Sequence, residues 1–316
     1  MATSGSFNFN VTFEDICKEA LTLIGEYDEN DVIDNRDVAT CLRTFNMMIK
    51  YWQADGVTLW KLVDAVLFLA KGTHTYSIGP SGDHASDSYV KTEVATAAAS
   101  GASTLVVDSI TGISASDNIG IELDDGTLQW TTVNGAPSGS TITLTDVTTD
   151  TIAVDNHVYT YTNKLQRPLE IVEARLRNSS GQDRPIFIES RERFLYLNDK
   201  AQTGTVNQIY HQPTTTNTTM RLWQAAGDVK ELVRFSVKIP VEDVDTKTDN
   251  VDFPQVWFLP LAWQLALYVG PKFDASLNAK QEARAQHLLE TVKDHDTEQS
   301  SSILTADLTG RRQGRW

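Results

Sequence analysis

HTYSIGPSGD, residues 74–83, decides how the rest of the chain is read. Gly79 and Gly82 lie three apart, with Ser81 between them and Asp83 beyond, so the stretch could line a phosphate pocket. A phosphate loop needs a Gly-rich turn that leads straight into a helix, usually with a Lys and a Ser or Thr to grip phosphate and metal. Here Asp83, His84 and Asp87 follow, and then β-rich sequence with no helix start. An acidic residue at that point repels phosphate. The stretch is therefore the end of a strand and its turn, and VDAVLFLAKGTHTYSI (63–78) reads as two short strands joined at Lys71–Gly72.

Upstream of those strands lie two helices. Thr12 opens the first, with Asp15 three residues on as an approximate capping box. Phe13, Ile16, Cys17, Ala20, Leu21 and Ile24 fall at amphipathic helical spacing, and Gly25 ends the helix or lies within its last turn. The second starts near Asn35 and places Val38, Leu42, Phe45, Ile49 and Trp52 on one face, a narrow seam for a partner helix, with Gly56 as its stop.

Downstream, residues 85–163 differ sharply in composition. They carry ten Asp or Glu against one Lys, which is −9 of the formal −15 and leaves −6 for the rest. STLVVDSI, IGIEL, LQWTTV, STITLTDV and HVYTYT mark short strands, broken by SGAS, DDG and NGAPSGS. TLVVDSITGISASDNIGIEL and TITLTDVTTDTIAVDNHVYTY echo one another as strand, small-residue loop, Asp-Asn and strand. The segment reads as a small β-barrel or sandwich inserted into a host fold. The host resumes at Arg167–Pro168 with strands in LEIVEARLRN, RPIFIE, VNQIYHQ, TTMRLWQ and ELVRFSVKIP, and a short helix capped by Ser190. Their short connections predict antiparallel pairing. Asp252 and Pro254 start a helix carrying Trp257, Leu261, Leu265 and Tyr268. Asp274 caps a last one that buries Leu277, the Arg284 stem, Leu288 and Val292.

The predicted fold class is thus α+β: a helical-bundle core with antiparallel strands, an inserted all-β domain, and an extended C-terminal tail. Residues 1–84 and 164–296 form the discontinuous core, 85–163 the insert and 297–316 the tail. The chain has 316 residues and 41% hydrophobic content, enough for a real core and about two domains. A pI near 4.8 argues against broad adhesion to nucleic acid or anionic membrane. Cys17 and Cys41 sit at apolar helical positions, as buried free thiols do. MATSGSFNFN has neither a basic start nor an apolar stretch, and LVDAVLFLA (62–70) is too short to span a bilayer, so a cytosol-made soluble protein is expected.

Catalytic signals are lacking. The sequence has no GxSxG, HExxH or CxxC. His287 and His295 are eight apart on one helix, where zinc pairs sit three or four apart, and the six histidines read as surface residues. Asp124–Asp125–Gly126 reads as a hairpin turn instead of a calcium loop. No enzyme, metal or cofactor is expected.

An ordered set of stretches carries a resemblance: TCLRTFNMMIKYWQADGVTLW ending a helix pair, the strand-turn YSIGPSGDH, a strand pair around RPIFIESRERF, and VDFPQVWFLPLAWQLALYVGPKF before the last helix. Together they resemble the head-to-tail adaptor family of tailed bacteriophages, including the tail accessory factors of short-tailed phages, over residues 11–84 and 167–295. The resemblance implies a structural virion protein made in the host bacterial cytoplasm. It implies a ring, typically of twelve copies, clamped between the portal of the filled head and the tail tube or nozzle protein. Double-stranded DNA would pass through the lumen without specific binding, and no membrane is involved. The insert at 85–163 is not part of the shared core, and no catalytic residues carry over.

Two expectations follow. The β insert projects outward, so that residues 88–162 could be excised and leave a soluble helical core. The tail, too poor in apolar residues to order itself by burial, docks on the portal: Ile303, Leu304 and Leu308 fill apolar notches, Arg311, Arg312 and Arg315 pair with acidic groups, and Trp316 anchors. The competing reading is a virion-associated carbohydrate-binding or carbohydrate-degrading protein acting through the β segment, with Trp130, Tyr159 and Tyr161 as the rings able to stack on sugar. Their alternation with Thr in strands favours core packing.

Overall fold

A computed structural model describes residues 5–54 and 59–296. In chain order the helices and first strands are α1 (Phe13–Ile24), α2 (Asn35–Ala54), β1 (Leu62–Phe68), β2 (Thr75–Ile78) and β3 (Ala85–Ser86). Then follow β4 (Val90–Thr96), β5 (Thr104–Val107), β6 (Asn118–Glu122), β7 (Leu128–Thr132), β8 (Thr141–Thr143) and β9 (His157–Tyr161). Next come β10 (Glu170–Arg177), β11 (Asp183–Pro185), β12 (Phe187–Ile188), α3 (Arg191–Leu195), β13 (Thr203–Gly204) and β14 (Gln208–Pro213). The last are β15 (Thr218–Trp223), β16 (Ala225–Ala226), β17 (Leu232–Lys238), α4 (Phe258–Val269) and α5 (Ala279–His295). The α+β class holds. The chain divides into a helical unit, Met1–Trp60 with Glu242–Trp316, and a β-rich unit, Lys61–Val241.

In the helical unit, α4 packs on α1, α2 and α5. Thr12 caps α1, and its side chain and that of Asp15 form the reciprocal box, while Gly25 at φ 81° ends the helix. For α2 the capping side chain is Asp34, whose carboxylate accepts from the Arg36 N–H at 2.8 Å, one residue before the expected start. Its buried face adds Cys41, Thr44 and Met48 to Val38, Phe45, Ile49 and Trp52, so it is broader than a coiled-coil seam, and Leu42 is only half-buried. The reason is its neighbours: α2 meets both α1 and α4. Gly56 lies outside the described residues. Cys17 and Cys41 are both fully buried and unbridged. Contact with the Cys41 thiol, then burial, pushes the Cys17 pKa up, away from a reactive thiolate.

Two helix assignments change. Tyr268 is 43% exposed, off the face on which Leu261 and Leu265 are buried. Asn278 caps α5 with Gln281 completing the box; Asp274, at φ 52°, belongs to the preceding turn. That helix buries Ala285, Leu289 and Val292, leaving Leu288 half-buried. Arg284 is exposed, its guanidinium 5.7 Å above the Trp263 ring.

The expected helical-bundle core is not what dominates: most of the regular structure is β, and the other unit buries its apolar residues between sheets. A five-stranded sheet runs β11-β10-β17-β1-β3 and a four-stranded one β12-β14-β15-β2. Although β1 and β2 are consecutive, they enter different sheets, and Leu67 of one and Tyr76 and Ile78 of the other share a core with Met220, Leu222 and Phe235. RPIFIE likewise splits, β11 joining the first sheet and β12 the second. Pairing is antiparallel apart from β12–β14 and β13–β16, which are parallel and differ from the expectation. Each is only a two-residue match between chain segments already anchored elsewhere.

Strands β4–β9 form a third sheet, ordered β7-β6-β9-β4-β5-β8. A Val133–Leu144 bridge joins its two edges, with Asn134 N–H donating to Thr143 O and Thr145 N–H to Thr132 O, and so closes a small barrel. Leu105, Val107, Ile119, Ile121, Ile142 and Val158 fill it. The sequence echo has a structural meaning: β5 pairs with β8 and β6 with β9, so the two repeats lie strand against strand.

Candidate functional site

The turn at 76–84 is built around its own anion. The Asp83 carboxylate accepts from Ser77 N–H at 2.7 Å, Asp83 N–H donates to Ser77 O at 2.6 Å, and Gly82 N–H donates to Gly79 O at 3.0 Å. A side chain at Gly79, φ 154°, would meet Asn217 Oδ1 at 2.4 Å, and one at Gly82 would meet the Ser77 carbonyl oxygen at 2.2 Å. Both glycines are demanded by close approach of other groups. The turn is a rigid corner between two sheets, and β3 follows it, not a helix.

That corner places His84 in an aromatic junction between the five-stranded sheet and the barrel. The His84 imidazole stacks on Trp130 with centroids 3.8 Å apart, and its Nδ1 is 2.6 Å from the Tyr161 hydroxyl. Phe68, from β1, is the hub: Tyr89, Trp130, Tyr159 and Tyr161 surround it at 5.2–5.7 Å. Trp130 lies across Gly120, its cross-strand partner, where a Cβ would come within 2.8 Å of the indole. Tyr159 and Tyr161 are buried and Trp130 half-buried, so these rings join two sheets.

The histidines depart from the surface reading. His157 is buried, and His74, His84 and His211 are half-buried, while His287 and His295 are exposed. Burial, reinforced by Lys164, lowers the His84 pKa to about 4. Burial also lowers those of His157 and His211. His157 is 3.3 Å from the Glu122 carboxylate, with Nδ1 poorly aimed for a hydrogen bond, and 3.4 Å from Glu93. Those carboxylates oppose the shift without reversing it.

The sign of the effect on stability is fixed. An unfolded histidine takes up its proton near pH 6.5, whereas these folded ones resist it. Stability should therefore be full above about pH 7 and fall as the pH drops from 6.5 toward 4. For His84 the loss is about 2 kcal/mol, after allowing for screening at its solvent-facing edge. Urea unfolding at pH 7 and pH 4.5 checks this. His84→Gln should flatten the dependence, and an equal slope in that variant would contradict the assignment.

The helical unit offers a different surface. Phe7, Phe9, Met47, Tyr51, Val256 and Leu259 are large apolar side chains left exposed there. Sequence periodicity had marked only the buried faces. Met47 and Tyr51 could have been found as an i, i+4 pair on the opposite face of α2. The sequence-predicted portal residues Ile303, Leu304, Leu308, Arg311, Arg312, Arg315 and Trp316 lie outside the described residues. Among the described residues, no three or more His, Cys, Asp or Glu are grouped to hold a metal, and no helix is long and apolar enough to cross a membrane.

No family model matches the chain, and no curated protein matches it. A solved structure with a similar stretch is the Gp54 tailspike of Acinetobacter baumannii bacteriophage AP22, in complex with A. baumannii capsular saccharide. Sequence identity is 14% and the TM-score 0.22, over 25% of this chain and 16% of the tailspike chain. A likeness that small assigns neither fold nor ligand here.

Proposed function

We propose that the protein is a non-enzymatic structural component of a tailed-phage virion, a ring-forming adaptor at the head–tail junction that contacts the portal above and a tail protein below. The observation that carries this reading is the set of large apolar side chains left exposed on the helical unit. Phe9, Met47, Tyr51 and Leu259 belong to the segments whose order resembles the adaptor family or directly flank them, and such a surface calls for protein partners. The charge supports it as well. A ring of chains each at −15 would present packaged DNA with like charge, which lets the duplex slide without adhering. A copy number of twelve rests on the family resemblance. Electron microscopy of the protein mixed with the portal of the same particle tests the reading.

The carbohydrate reading is less well supported. It needs open aromatic platforms, and Trp130, Tyr159 and Tyr161 are engaged with Phe68 and His84.

A further inference from the structure

Two surfaces of the helical unit are complementary in chemistry: one an apolar groove, the other an apolar ridge, edged by opposite charges. Between Phe9 and Leu259 lies a groove of about 320 Å³, floored by Ile16, Phe258 and Ala262. Its walls are exposed, Phe9 at 67% and Leu259 at 48%, while its floor is buried. Asp15 and Glu19 of α1 stand on its rim. The Asp15 carboxylate caps the helix through Thr12, accepting from the Thr12 backbone N–H at 2.9 Å. Lys18 lies in the adjoining recess, together with Glu29.

The second surface is the outer face of α2. Arg36, Arg43, Met47, Lys50, Tyr51 and Ala54 recur there at i, i+3, i+4 and i+7 spacings and are all exposed. Met47 and Tyr51, 64% and 66% exposed, stack one turn apart as an apolar ridge. The cations of Arg43 and Lys50 flank it, Lys50 reaching Asp243 at 2.5 Å. Asp37, the acidic residue of this helix, is turned to Tyr27 at 2.5 Å. An apolar ridge edged by cations thus has as its counterpart an apolar groove edged by carboxylates.

We infer that the α2 ridge of one copy seats in the α1/α4 groove of the next. This inference rests on the ring reading and specifies its contact. Because the two patches are different, the contact is heterologous; it cannot make a twofold dimer, and it makes the ring when the rotation from one copy to the next closes. Met47 and Tyr51 enter between Phe9 and Leu259, Arg43 faces Glu19, and water is excluded from both apolar faces. Aromatic and Met anchors with a charged rim are the usual anatomy of such contacts.

Paired cysteines test it. The double variant Tyr51→Cys with Leu259→Cys, oxidised mildly after assembly on portal, should give a ladder of covalent oligomers on a denaturing gel, rising to the closed ring. Each single variant and the parent chain, whose two thiols are buried, should stay monomeric. Reversing one rim charge with Arg43→Glu should weaken ring formation at least tenfold, and adding Glu19→Arg should restore it. Dimers from Tyr51→Cys alone would overturn the pairing in favour of an α2–α2 contact. Rings visible by microscopy with no ladder would overturn this pairing and leave the adaptor reading standing. Neither rings nor ladder would overturn both.

Discussion

Truncation after Gln299 is expected to leave a folded, soluble protein that no longer joins filled heads. The deleted segment contains Ile303, Leu304, Leu308, Arg311, Arg312, Arg315 and Trp316. Docking of this segment on the portal would couple adaptor attachment to a completed portal. Burial of Trp316 in a portal pocket would contribute about 2 kcal/mol or more per copy, roughly thirtyfold in affinity. A ring repeats that contribution in every copy, so the loss in assembly is far larger than thirtyfold. Sedimentation of truncated protein with filled heads reads out attachment, and nuclease sensitivity of the head contents reads out sealing. Attachment at the parental level would move the portal contact onto the helical unit. Trp316→Ala alone should reproduce most of the loss.

Phe68→Ala should be among the most damaging single substitutions in the β-rich unit. Phe68 is 3% exposed and touches four aromatic rings. Truncating a buried Phe costs about 3–5 kcal/mol, and loss of ring–ring geometry adds about 0.5–1.5 kcal/mol for each strong pair. Phe187→Ala, at a mostly exposed site, should change stability by about 0.5 kcal/mol or less and serves as the control. Denaturant midpoints with tryptophan fluorescence suit the measurement, since Trp130 belongs to the cluster. If Phe68→Ala matched the control, the junction would not hold the barrel to the sheet. The same contacts revise the expectation that residues 88–162 can be cleanly excised. Val66, Phe68 and Leu232 pack on Tyr159 and Tyr161 and would lose that cover.

Features set by local chemistry were legible in the sequence. The Thr12/Asp15 box, the Gly25 stop, the Ser190 cap and the strand-ending turn at 76–83 each depend on residues a few positions apart. The internal echo was legible because repeated strands repeat their alternation. Long-range partnership was not. Nothing local in VDAVLFLAKGTHTYSI says that β1 and β2 enter separate sheets, since an alternating strand satisfies either partner. The start of α5 was misplaced because Asp274 and Asn278 are both good caps. Only the second has Gln281 three residues on to complete a box. His84 and His157 gave no sign of burial because a histidine's neighbours across a sheet are distant in sequence. The exposed apolar side chains of α2 were missed for a related reason: amphipathic periodicity finds the face a helix buries within its own chain, and Met47 and Tyr51 lie on the other one.

The adaptor reading is tested most directly by electron microscopy of the purified protein mixed with the portal of the same particle. The expected result is a closed ring of about twelve copies coaxial with the portal and continuing its channel, with the ring missing when the chain is truncated after Gln299. Copies that stay monomeric beside intact portal rings, or that decorate the outer head instead of the portal vertex, would contradict it.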